Sequence, residues 1–212
     1  MIPDSSRTEL SRRTVVKGAA WAVPTIAIAS AVPNAAASIA TATFAQTNSQ
    51  TGLLTLRLLD GTGTVTAGAL VTVPTEYTLT NTPGAISTTG TVTVTVSRPS
   101  GINIPVGRAR GFGVAAFNGT NSTSGERTTT YQTTLGVPYG FPNTTFTRSG
   151  VAVNVASNGS RAFSISFGLA GVSTGVTISA LATFAVNVQL AVPGKIYSAS
   201  GTISVPVGAG IL

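Results

Sequence analysis

Six consecutive residues, Thr91-Val92-Thr93-Val94-Thr95-Val96, alternate without a break between a branched alcohol and a branched hydrocarbon. On an extended strand successive side chains point to opposite faces, so this run offers valine to a core and hydroxyls to water. A helix would smear both kinds of side chain around its whole circumference. The same period of two recurs in Leu54, Leu56 and Leu58, and in Phe163, Ile165 and Phe167. It returns near 76–80, 128–135, 146–155, 176–190 and 195–207. One apolar face per strand is what a sheet packed on a second sheet requires.

Turn chemistry separates these runs: Asp60-Gly61, Pro83-Gly84, Ser100-Gly101, Asn118-Gly119, Asn158-Gly159 and Pro193-Gly194. Gly and Asn accept the left-handed backbone of tight turns, and Pro presets one corner. Many short strands with turns between them predict a sandwich or barrel. Residues 98–108 and 138–142 read as the longer loops. Apolar residues make up 42% of the chain, enough to fill a core, and no cysteine is present to staple it.

The head of the chain has another character. Ser11-Arg12-Arg13-Thr14-Val15-Val16-Lys17 precedes an apolar run from Gly18 to Val32, which leads to Ala35-Ala36-Ala37. This basic, oily, then small-residue order is that of an export signal, and its apolar run is too short to span a bilayer. It resembles the twin-arginine signal peptides of small secreted actinobacterial proteins, with valines where the motif prefers Phe and Leu. The resemblance implies a cleaved leader over 1–37, with Arg12 and Arg13 as the export motif. Ala35 and Ala37 frame a cut before Ser38. It further implies the twin-arginine translocase and a signal peptidase as partners, and an extracellular or cell-envelope destination. At the other end, 205–212 carries no sorting motif or long apolar tail, so the expected product is released or held non-covalently.

Four of the twelve basic residues and two of the five acidic ones fall in that leader, leaving eight basic and three acidic residues. The eight are scattered, whereas a nucleic-acid surface gathers its charge on one face. No nucleic-acid partner is expected.

Tyr77-Thr78-Leu79-Thr80-Asn81, a Gly-containing link, the alternating run to Val96 and then Pro99-Ser100-Gly101 resemble the immunoglobulin-like repeats of bacterial surface proteins. The resemblance covers 77–101 and implies an all-β, immunoglobulin-like, Greek-key β-sandwich as a single domain over 38–212, behind an N-terminal signal helix. It also implies a surface role.

Missing residues exclude most chemistry. No histidine or cysteine occurs, which removes the usual zinc and copper sites and histidine-based triads. Gly171-Val172-Ser173-Thr174-Gly175 spells the nucleophile-elbow string but lacks a base, so it reads as a turn. Asp60-Gly61-Thr62-Gly63 has the wrong order for an aspartic-protease loop and no second aspartate after the leader. Asp60, Glu76 and Glu126 are the only carboxylates from which a glycosidase pair or a calcium site could be drawn. No catalytic residue, metal ligand or cofactor is expected.

Binding features remain. Tyr139-Gly140-Phe141-Pro142 holds two aromatics that either stack on a sugar or cap the end of the core. Arg108-Ala109-Arg110 on a strand would point both arginines one way, toward one anionic group or simply toward solvent. Asn118, Asn121, Asn143 and Asn158 each begin an Asn-x-Ser/Thr string. The expected function is a non-catalytic secreted or envelope-associated β-sandwich with a structural or adhesive role, meeting a cell-wall polymer or a surface protein. The alternative is a carbohydrate- or ligand-binding module using the aromatic loop. An outer-envelope β-barrel is a third reading, against which stands the absence of tryptophan beyond Trp21 for an aromatic girdle.

Overall fold

A computed structural model describes residues 39, 41–68, 70–100, 104–174 and 182–205. The leader, with Arg12, Arg13, Ala35, Ala37 and Ser38, lies outside the described residues, as do Gly101, Gly175 and the 176–181 part of one expected strand. From Thr43 onward the described residues are all-β, with a single 3-10 turn at Ser124–Glu126 among the strands.

The strands are β1 (Thr43–Gly52), β2 (Thr55–Arg57), β3 (Thr64–Thr66), β4 (Val71–Thr80), β5 (Ile86–Val96), β6 (Gly111–Phe117) and β7 (Thr120–Asn121). They continue as β8 (Arg127–Thr134), β9 (Val137–Val155), β10 (Ser160–Ala170), β11 (Ala182–Val192) and β12 (Lys195–Val205). Ten of them form one curled antiparallel sheet in the order β7-β6-β10-β4-β12-β11-β5-β9-β8, with β1 beside β4. Between β4 and β12 the ladder narrows to one pair, Ser204 with Thr72. Two arms therefore hinge there, one holding β4, β10 and β6, the other β12, β11, β5, β9 and β8.

The arms face each other across a phenylalanine-rich core. Phe112 of β6 meets Phe184 of β11 edge-on at 5.1 Å, and Phe117 of β6 lies 6.0 Å from Phe146 of β9. Val92, Val94 and Val96 are buried, as the alternation requires, and β11 sets Val186, Val188 and Leu190 beside them.

Chain connections pass repeatedly from one arm to the other, as at β4–β5 and β9–β10. These two crossings are tied at Asn81, a buried side chain at the end of β4. Its Nδ2 donates to the carbonyls of Gly84 and Ala156, and its backbone N–H donates to Gly159 O at 2.9 Å. Asn158 adopts φ 55° in the facing corner, the left-handed turn that its Asn-Gly pair anticipates.

Two strands carry no alternation. β1 (TFAQTNSQTG) has almost no apolar side chain and is held by its ladder with β4. β6 (GFGVAAF) is buried on nearly every residue because 57–59 covers its outer side. Leu59 N–H bonds Leu169 O at 2.8 Å there, and a side chain on Gly168 would meet Arg57 O at 2.6 Å. Glycine at 168 is what lets the covering segment approach.

Residues 138–142 are a correction: they belong to β9 and not to a loop. Over that stretch β8 is the one strand beside β9, its other edge meeting only a short bridge at Gly140, and its pairing with β5 begins at Thr144. A strand edge without a full second ladder tolerates proline, which has no N–H to give one.

Candidate functional site

Segments 97–100, 104–110 and 171–174, the start of β9 and the middle of β8 converge at the end of the molecule where β5 and β10 finish. Segment 107–109 docks on β9 through its backbone: Gly140 N–H donates to Gly107 O and Ala109 N–H to Gly140 O, both at 2.9 Å. On its other side Arg108 exchanges backbone bonds with Thr174. Tyr131 stands between these segments on a bulge of β8. Its hydroxyl donates to Ala109 O at 2.9 Å and accepts from Val172 N–H at 3.0 Å. Burial pushes the Tyr131 hydroxyl up from its usual range; the Asp60 charge adds to that, while Arg108 and Arg110 oppose it.

The arginine pair flanks this tyrosine. The Arg108 guanidinium carbon lies 5.9 Å from the Tyr131 ring centre, a cation–π distance. Arg110 is half-buried, and among the described residues its Nε has no hydrogen-bond partner. A buried guanidinium donor left unmatched favours an anionic acceptor. The nearby carboxylate is already engaged, since Asp60 Oδ2 accepts from Gly171 N–H at 2.5 Å.

Of the expected binding residues, the fold gathers Arg108, Arg110 and Tyr139, the last half-buried one residue before Gly140. Phe141 is not with them. It is buried, edge-on to Phe184 at 5.4 Å, so it caps the core and offers no ring to a ligand. Tyr131 was not anticipated. The one signal for it is an aromatic amid the threonines of β8.

Residues at the tips point outward. Leu135 and Gly136 make the two-residue turn between β8 and β9, with φ 48° and 79°. Asparagine or glycine normally fills the first of these places, because a branched hydrocarbon there costs about 1–2 kcal/mol. Leu135 is also 99% exposed. Val137, just past the turn, and Val106, on the neighbouring segment, are 65% and 79% exposed.

Arg148, Arg127 and Glu126 help to tie the two arms together. Facing edges of the two arms, β6–β7 and β8–β9, are joined by side chains and not by a ladder. Arg148 pairs with Glu126 at 2.6 Å, donates to the carbonyls of Phe117 and Asn121, and lies over the rings of Phe146 and Phe117. Arg127 donates to Leu59 O and Ser122 O, and Thr144 Oγ1 to Phe112 O at 2.6 Å. Hydrogen bonds from Arg148, with help from Thr123, lower the Glu126 carboxyl to about 2 against the opposing effect of burial.

Asp60, Glu76 and Glu126 have separate partners: Gly171 N–H, the Thr47 hydroxyl and Arg148. Among the described residues no group of three potential ligands could hold a metal. Asn143 Oδ1 accepts from the Arg98 backbone N–H, and Asn118 Oδ1 from Ser164 N–H, so both side chains have structural work in the fold.

No protein-family model, curated protein or solved structure matches the chain.

Proposed function

We propose that the chain is an exported, non-catalytic protein of the cell envelope, an immunoglobulin-like β-sandwich whose broad face lies against a hydrated neutral polymer such as a cell-wall polysaccharide. One observation carries the reading: the outer face of the β8-β9-β5-β11-β12 arm presents registered rows of uncharged hydroxyls and amides. One row runs Thr128, Thr145, Thr95, Asn187 and Ser200; the next runs Thr147, Thr93, Gln189 and Ser198. Every inward neighbour along β5 here is a valine. Side chains of this kind exchange hydrogen bonds with sugars at little desolvation cost and repel neither charge.

The sandwich reading is supported by the arm-to-arm crossings and by Asn81 closing the first of them, at the place where the immunoglobulin-like resemblance sets its asparagine. Polar residues outside and phenylalanines inside oppose the lipid-facing barrel, which needs the reverse. Separate structural partners for the three carboxylates argue against the paired-carboxylate chemistry that was the remaining catalytic route. The leader supplies the destination, through its twin-arginine motif.

Expression in a bacterium with a working twin-arginine system tests this directly. The product is expected in the envelope fraction, beginning at Ser38 and without the emission of Trp21. Replacing Arg12 and Arg13 by lysine retains it inside. Thr95→Glu together with Thr145→Glu reduces sedimentation with insoluble wall polysaccharide while export continues. Recovery of wild-type protein in the cytoplasm, or sedimentation indifferent to the two glutamates, contradicts the reading.

A further inference from the structure

Large exposed aliphatic side chains are not scattered over this molecule. Seven are described, and six of them, Leu53, Leu70, Val106, Leu135, Val137 and Val172, sit at the end where β1, β5 and β10 finish and β4 begins. The seventh, Ile196, is at the opposite end. The crowded end also holds Arg108 and Arg110, and among the described residues the carboxylate nearest them, Asp60, is bonded to Gly171 N–H. The Gly140–Gly107 backbone bond holds the segment carrying Val106 against the start of β9, which carries Val137 and follows the Leu135-Gly136 tip.

We infer that this end docks on the surface of an anionic lipid bilayer, Leu135, Val137 and Val106 entering the interface and Arg108 and Arg110 meeting lipid phosphates. Three observations select that partner. Leu135 occupies a left-handed turn position that the fold would fill more easily with asparagine, and it has no contact to compensate for full exposure. The exposed tips come from several separate connections at one end, so a flat, deformable partner meets them together, whereas a shaped protein groove would receive one anchor. Guanidinium groups set just behind the aliphatic tips match the order of charge and hydrocarbon met on entering a bilayer. A protein with one face on wall polymer and one end on lipid would span the layer between them. The inference thus deepens the envelope reading and rests on it for its setting, while vesicle binding is measured without reference to export.

The chain lacks cysteine, which makes a local reporter simple. Leu135→Cys and, on the far face, Ser198→Cys are each labelled in the full chain with an environment-sensitive dye. They are then mixed with vesicles of phosphatidylcholine alone or with phosphatidylglycerol added. The label at 135 shifts to the blue with the anionic vesicles, and the label at 198 does not. In unlabelled protein Leu135→Asn, which restores a favourable Asn-Gly turn, weakens sedimentation with anionic vesicles on the order of tenfold. Arg108→Gln and Arg110→Gln each weaken it roughly fivefold, and only when the lipid is anionic.

An unshifted label at 135, or Leu135→Asn binding as tightly as wild type, overturns the inference. So does release of the protein by inorganic phosphate at constant ionic strength, which would reduce the site to an anion pocket. Leu135-dependent dimerisation in place of vesicle binding overturns it as well, making the tip a contact between copies. Failure of the fractionation test with vesicle binding intact would sink the envelope reading alone.

Discussion

The β12-β11-β5-β9-β8 arm and the seam between β6 and β9 are built from different materials. In the arm, β5 is hydrogen-bonded to β9 along most of its length and to β11 from Thr91 to Val96, and over that second stretch each inward position is valine. Across the seam two strand edges approach without a ladder, and their backbone groups are satisfied by Arg148, Arg127 and Thr144. Stability in the arm is spread over many equivalent pairs. At the seam it is concentrated in a few side chains, three of them charged: Arg148, Arg127 and Glu126. A sheet that curls without closing must protect its edges by some other means, and here long polar side chains do it.

That contrast is broken most severely from below. Phe146 supports both regions, packing on Phe117 and lying 5.3 Å beneath the Arg148 guanidinium. Phe146→Ala is expected to cost about 3–5 kcal/mol, measured by chemical denaturation. Arg148→Met strands a carboxylate and several carbonyls while leaving every ladder pair in place. Its expected cost is about 2–3 kcal/mol.

Acid should act on the seam before the arm. Glu126 has its folded pKa depressed from 4.5 to about 2, so its contribution is complete above pH 4.5 and drains away as pH falls toward 2. Denaturation midpoints of wild type and Glu126→Gln should differ at neutral pH and converge across that window. Equal separation at every pH would dissociate Glu126 from the closure.

The smaller effects sharpen the comparison. Leu135→Asn removes a strained turn position and is expected to add about 1 kcal/mol. On the outer face of the arm Thr93→Ser is expected to stay within about 0.5 kcal/mol, because no core contact or unpaired group is involved.

The arm was legible in the sequence because its code is local: one residue in, one residue out. Thr91 to Val96 announces both faces of β5 without knowledge of any neighbour. β6 was illegible for the opposite reason. Its outer side is covered by 57–59, so it carries no alternation, and only the fold reveals the cover. β1 likewise owes its strand conformation to β4. The seam depends on contacts such as Arg127 to Leu59 and Arg148 to Phe117, which span many residues and follow no spacing rule. Of the candidate site, Arg108, Arg110 and Tyr139 were readable as residue types suited to binding. Phe141 looked the same as Tyr139 on paper, and parity would set both on one face; the left-handed Gly140 between them breaks the alternation, and Phe141 lies in the core. Leu135 passed unnoticed, since a leucine draws attention only once its backbone is known to be left-handed.

Hydrogen exchange followed strand by strand in wild type and Arg148→Met tests side-chain closure most directly. Protection should fall in Gly111–Phe117 and Arg127–Thr134 while Ile86–Val96 and Lys195–Val205 keep theirs. An even loss across all strands, or no loss at the seam, would contradict it.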